Sequence, residues 1–121
     1  MVENKNIKKL IDDFITNAII QGEATYQGDH KKGNKASNKL FKIGAIMEQN
    51  IAIAKEMLDV LLFHEHINVK IWAAGKAMDL KYRDKEAEKI LEEISKMPDV
   101  GILGLNAKMS LKVRKEKNNK Y

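Results

Sequence analysis

Apolar residues recur at intervals of three and four along nearly the whole chain, the spacing of a helix with one buried face. No alternating run of β-branched residues flanked by a hairpin turn interrupts this pattern. The pattern predicts an all-α protein of about six helices. The first spans about Asn6 to Tyr26 on Ile7, Leu10, Ile11, Phe14, Ile15 and Ala18, and Gly28-Asp29 ends it. A second runs from about Lys31 to Gln49 with Leu40, Phe41, Ile43, Ala45 and Ile46 inward, and Asn50 separates it from a third, Ile51 to Phe63. Asn68 is positioned to cap a fourth, Val69 to Tyr82, and Asp84 a fifth, Lys85 to Met97. Pro98-Asp99 breaks the chain before a sixth, about Val100 to Lys115. The connections after residue 60 are short, so consecutive helices are expected to pack as antiparallel pairs.

An internal echo adds to this picture. A shift of 33 residues lays Val69 over Ile102, Ala74 over Ala107, Ala77 over Ser110 and Met78 over Leu111. Small residues fall on small and large on large, and a repeat of this length built from helix pairs marks an α-solenoid. Asn68-Val69-Lys70 followed by Ala73-Ala74 and Ala77-Met78 resembles the second helix of a HEAT repeat. Most of the chain is also similar to a small bacterial HEAT-like all-helical family of unknown function. The similarity rests on Gly28-Asp29-His30-Lys31-Lys32-Gly33-Asn34-Lys35 and Gly101-Ile102-Leu103-Gly104-Leu105-Asn106-Ala107. Glu65 stands where that pattern usually has a proline. Members of the family resemble immunity proteins of polymorphic toxin systems. The resemblance implies a HEAT-like solenoid and a cognate toxin domain as partner, neutralised by steric occlusion of its active site.

On the fourth helix, at about 100° per residue, Val69, Ile71, Ala73, Ala74, Ala77, Met78 and Leu80 cover one broad apolar arc. The opposite arc holds Asn68, Trp72, Gly75, Lys76, Asp79 and Arg83, so the only tryptophan falls among polar groups. The echo places Leu105, Met109 and Lys112 at the positions of Trp72, Lys76 and Asp79. Asn68, Trp72, Lys76, Asp79, Arg83, Leu105, Met109 and Lys112 therefore form the candidate partner-binding face, a tryptophan ringed by polar side chains being a common interface hot spot. The alternative is that Trp72 is covered by a neighbouring helix and serves as core. Asn106 falls toward the apolar arc and reads as a packing residue.

At 121 residues, with 44% hydrophobic and 32% charged residues, the chain fits one globular domain, residues 1–116, followed by a basic disordered tail, 117–121. The absence of cysteine removes disulfides and thiol chemistry and fits a reducing cytoplasm. No apolar run approaches the roughly 18 to 20 residues of a bilayer span, and no secretory signal is expected from the charged residues of MVENKNIKKLIDD. A soluble cytoplasmic monomer is expected. Of the net charge of +5, +4 lies in residues 112–120, which leaves the body nearly neutral and argues against a DNA-reading groove.

No arrangement of residues suggests catalysis. His64-Glu65-His66 lacks further metal ligands nearby and reads as a solvated turn. Asp12-Asp13 and Glu92-Glu93 read as surface pairs beside lysines. Neither enzymatic activity nor a cofactor or metal is expected. A protein-binding module is the expectation, with a nucleic-acid-binding HEAT-like protein or an oligomerisation scaffold as alternatives.

Overall fold

A computed structural model describes residues 4–119. Six α-helices follow one another: α1 Asn4–Gln27, α2 His30–Gln49, α3 Ile51–Leu61, α4 Ile67–Leu80, α5 Asp84–Ser95 and α6 Ile102–Asn119. No strand occurs among the described residues. The most extensive contacts join α1 to α2, α4 to α5 and α5 to α6, while α3 packs on α1, α2 and α4. A single cluster of buried side chains draws on all six helices, with Met47, Met57, Leu58, Leu61, Leu62, Leu91 and Leu103 at its centre.

Local chemistry sets the helix ends. Asp29 Oδ1 accepts from the Lys32 N–H at 3.1 Å to start α2, and Asn50 Oδ1 accepts from the Ile53 N–H at 3.3 Å to start α3. α1 closes on Gly28, which takes the left-handed conformation (φ 70°) while the Asp29 N–H reaches the Ala24 carbonyl at 2.9 Å. α4 closes with the same hydrogen-bond geometry on Lys81 (φ 56°), the Tyr82 N–H donating to Ala77 O at 3.0 Å. With no glycine there to announce the stop, the expected boundary at Tyr82 overruns the observed one. At the start of α4 the cap is His66, whose Nδ1 accepts from the Asn68 N–H at 3.2 Å, so Asn68 lies inside the helix. Arg83 (φ 52°) precedes α5 without a side-chain cap, and Asp84 is the first helical residue. α6 continues to Asn119, three residues into the segment expected to be a disordered tail; residues 120 and 121 lie outside the described residues.

Two helices bury faces other than those expected. On α2 the buried residues are Gly33, Ala36, Leu40, Ile43, Gly44 and Met47, while Phe41, Ala45 and Ile46 are exposed. Gly33 faces α1, where a Cβ would stand in ordinary contact with that of Ala24 at 3.5 Å, and Gly44 faces the Lys76 side chain of α4. A count of apolar spacings passes over glycine and so rotates the helix. α4, expected to have one apolar arc, is enclosed instead. It touches α1, α3, α5 and α6, and Asn68, Val69, Ile71, Ala73, Ala74, Gly75, Ala77 and Met78 are all buried.

Enclosure of this kind tolerates little added volume. Ala77→Leu is expected to destabilise the protein by about 1–3 kcal/mol through overpacking. Ala45→Leu, at an exposed position of α2, should stay within about 0.5 kcal/mol of the parent. Urea denaturation measures both; equal effects would contradict the enclosure of α4.

Candidate functional site

The gap between α2 and the neighbouring α4 and α6 forms a cleft of two adjoining chambers. The first, about 340 Å³, has Gln21, Asn68, Ile71, Gly75, Asn106, Met109 and Ser110 in its lining. The second, about 320 Å³, has Phe14, Leu40, Gly44, Ala45, Glu48, Lys76 and Asp79. Phe41, Trp72 and Arg114 belong to both and divide them.

Trp72 is half-buried and packs against the core. Its Nε1–H donates to Gln21 Oε1 on α1 at 3.3 Å, and the Phe41 ring lies against it with centroids 5.6 Å apart at 56°. The indole is thus anchored at its N–H by α1 and still forms a wall of each chamber. Phe41 itself is 62% exposed.

Asn68 is only 1% exposed, which corrects its expected place on a surface. Its Nδ2 donates to Ala18 O at 2.7 Å and to Gln21 Oε1 at 2.8 Å, fastening α4 to α1. The start of the helix carries Asn68 into α1, where Gly22 leaves room: a Cβ there would lie 3.0 Å from that of Asn68.

The second chamber is ionic. Lys76 lies across Gly44 and pairs with Glu48 at 2.6 Å, and this hydrogen bond and charge hold the Glu48 carboxyl below its ordinary 4.5. Arg114 lies across Gly75, where a Cβ would be 3.0 Å from its Cζ. It grips Asp79 with two parallel bonds of 3.0 and 3.1 Å, donates from Nε to Gly75 O at 2.9 Å and from Nη1 to Ser110 Oγ at 2.6 Å. The guanidinium therefore bolts α6 to α4. The two cations and two carboxylates leave the cleft without net charge.

The expected binding residues are thus divided among three places. Trp72, Lys76, Asp79 and Met109 line the cleft, and Asn68 forms part of its floor. Leu105 and Lys112 stand exposed on α6 outside both chambers. Arg83 is elsewhere: it bonds Asp59 at 3.1 Å and Glu86 at 2.9 Å and lies 5.0 Å from the Phe63 ring centroid. Beside it the Tyr82 hydroxyl donates to Asp59 at 2.6 Å, which raises its pKa above the ordinary 10.0. Left-handed Lys81 and Arg83 turn the chain at the end of α4, so extrapolating the helix through Arg83 aims it wrongly.

Sequence reasoning missed Gln21, Glu48 and Arg114 and took Phe41 for core. The signal present was glycine inside helices. Gly22, Gly44 and Gly75 each face one polar cleft side chain, Asn68, Lys76 and Arg114 respectively. Asn106, read as packing, is half-buried in the first chamber.

His64 and His66 act within the chain, His64 Nδ1 accepting from the His66 N–H at 3.0 Å. Among the described residues no group of three or more His, Cys, Asp or Glu is placed to hold a metal ion, and no helix is long and apolar enough to cross a membrane. No family model, curated protein or solved structure matches the chain.

The Arg114–Asp79 pair, with side chains 26% and 30% exposed, is enclosed enough for its geometry to matter. Arg114→Ala is expected to cost about 1–2 kcal/mol, and Arg114→Lys to recover less than half, because an ammonium cannot hold both carboxylate oxygens and the Gly75 carbonyl together. Urea denaturation of the two variants decides it; full recovery by lysine would refute the fork geometry.

Proposed function

We propose that the chain is a protein-binding module, and in the finer reading an immunity protein that neutralises a bacterial toxin domain by covering its active site. One observation carries the binding reading. Ile102, Leu105, Met109 and Val113 are 45%, 56%, 52% and 55% exposed. Their spacing of three, four and four residues puts them within about 80° of one another around α6. Exposed apolar side chains scattered singly need no explanation, but a contiguous row of them is the mark of an interaction surface. Lys108 and Lys112 border the row, and Met109 leads from it into the cleft, where Phe41 and Trp72 supply aromatic area. The anatomy is an apolar centre with a polar rim.

The finer reading draws on the resemblance to HEAT-like bacterial proteins set out above. Its mechanism is steric: a stoichiometric complex in which α6 and the mouth of the cleft block the toxin's working surface. No catalytic step is required of this chain.

The reading expects a toxin domain encoded beside this chain, and co-expression with that domain tests it. The parent chain should rescue growth, and Leu105→Asp combined with Met109→Asp should abolish rescue while leaving thermal unfolding unchanged. By calorimetry the double variant should lose about 2 kcal/mol or more of binding, the scale of an interface hot spot. Growth arrest in the presence of the folded parent chain would sink the immunity reading. A concentration-dependent dimer broken by the same substitutions would transfer the α6 row to self-assembly.

A basic row on α2 supports the second reading, nucleic-acid binding. Lys31, Lys35, Lys39 and Lys42 are exposed, fall within about 80° of helix face and have no ion-pair partner among the described residues. If they neutralise phosphates together, binding to random duplex should fall with salt at a logarithmic slope of about −3 to −4. On the leading reading, a fluorescence anisotropy titration at low salt shows no such binding.

A further inference from the structure

The proton bookkeeping of the first chamber leaves one nearly buried group over. An indole N–H only donates, so the atom of Gln21 that receives Trp72 is the amide oxygen, Oε1. The same oxygen lies 2.8 Å from the Asn68 amide, and the Ala18 carbonyl oxygen lies 2.7 Å from it. Two acceptors can be served only by the NH₂, so Nδ2 is turned toward α1. Asn68 Oδ1 is therefore turned away, and no donor among the described residues reaches it. The residue is 1% exposed and lines the first chamber, yet among the described residues no fully enclosed side-chain polar atom lacks a partner, so this oxygen opens onto the chamber. A nearly buried acceptor without a donor is a specific demand, because leaving such a group unpaired is costly.

The rest of the chamber narrows what meets that demand. Its walls include Trp72, Phe41, Ile71 and Met109, apolar and mostly flat or soft. Its one cation, Arg114, is already neutralised by Asp79, so an anion gains little there. A volume of about 340 Å³ stands at the small end of ligand-sized pockets, roughly 300–1,000 Å³, and suits a ring system better than an extended chain. The half-buried Asn106 amide, bonded to no other described residue, adds a polar contact at one side.

We infer that the first chamber is a socket for a tryptophan side chain of the protein partner, its indole N–H donating to Asn68 Oδ1 while the ring packs between Trp72 and Met109. The inference rests on the protein-binding reading and names what the partner inserts.

Titration of the ¹⁵N-labelled full chain with indole, 1-methylindole and N-acetyltryptophanamide tests it with the protein unaltered. The single indole N–H resonance, from Trp72, and the Asn68 amide pair report on the chamber. Indole should shift both saturably and bind about tenfold more tightly than 1-methylindole, the worth of one hydrogen bond to a desolvated acceptor. N-acetyltryptophanamide should bind at least as well as indole. Phe41→Ala, at an exposed position, should weaken all three probes without unfolding the protein.

Equal affinity for indole and its N-methyl derivative would overturn the role of Asn68. Binding of indole with exclusion of N-acetyltryptophanamide would overturn the polypeptide source in favour of a free small molecule. The absence of any shift up to the solubility limit would overturn the socket altogether. These outcomes are read from small probes on the parent chain; Met109 belongs to both the chamber and the α6 row, whereas Leu105 lies outside the chamber, so loss of rescue in Leu105→Asp alone reports on the row and the two ideas can fail separately.

Discussion

Close approach to α4 is the constraint on which the rest of the molecule depends. Four helices contact it, and helix axes can stand only about 8–10 Å apart when the side chains between them fit. Ala73, Ala74, Gly75 and Ala77 supply that fit, all fully or nearly out of reach of solvent. With α4 enclosed, its polar groups turn to partners within the fold, Asn68 in full burial and Lys76 and Asp79 with part of their surface still in solvent. Asn68 finds them on α1, Lys76 on α2 and Asp79 on α6. The same three residues that look like a polar face on a helical wheel are thus the ties that hold the surrounding helices to the centre.

Those ties explain why the cleft exists at all. Side chains rather than backbone proximity span the distance from α2 to α4: the Phe41–Trp72 ring contact and the Lys76–Glu48 ion pair. Two helices bridged by long side chains leave space between the bridges. Arg114 performs the corresponding task from α6, and because it reaches over Gly75 it stands at the divide between the chambers. The cleft is a consequence of packing around α4, and its polar groups are mostly consumed by structure. Asn68 Oδ1 is the nearly buried group that this accounting leaves over, which is why a small difference in amide orientation has consequences for binding.

Helix number and order were legible in the sequence because they need only the period of apolar residues and a few turn signals. Faces were less legible, and for identifiable reasons. α2 was rotated because Gly33 and Gly44, which carry no hydropathy signal, point inward while Phe41 points out. α4 defeats a one-face reading because it has neighbours on several sides: Asn68, placed on the polar arc, is buried, and Trp72, left open between a binding face and core, is half-buried. Arg114 was counted as part of a basic end, when a long helix C-terminus brings it back over α4. The glycine at each crossing point was visible throughout; its meaning required knowing which helix lay opposite.

The echo between α4 and α6 shows how one pattern can yield core in one place and surface in another. Ala74 and Ala107 are both fully buried, and Ile71 and Gly104 both face inward. The pattern parts company on the outer side: Val69 is fully buried where its counterpart Ile102 is 45% exposed, and half-buried Trp72 answers to exposed Leu105. The difference lies in what surrounds each helix. α4 is covered by α1 and α3 on the side where α6 has only slight contact with α1. An apolar row suited to burial is therefore present on α6 with none of the described helices laid over it. Supplying that missing neighbour is what a protein partner would do, and the lysines flanking the row would then form the rim of the contact.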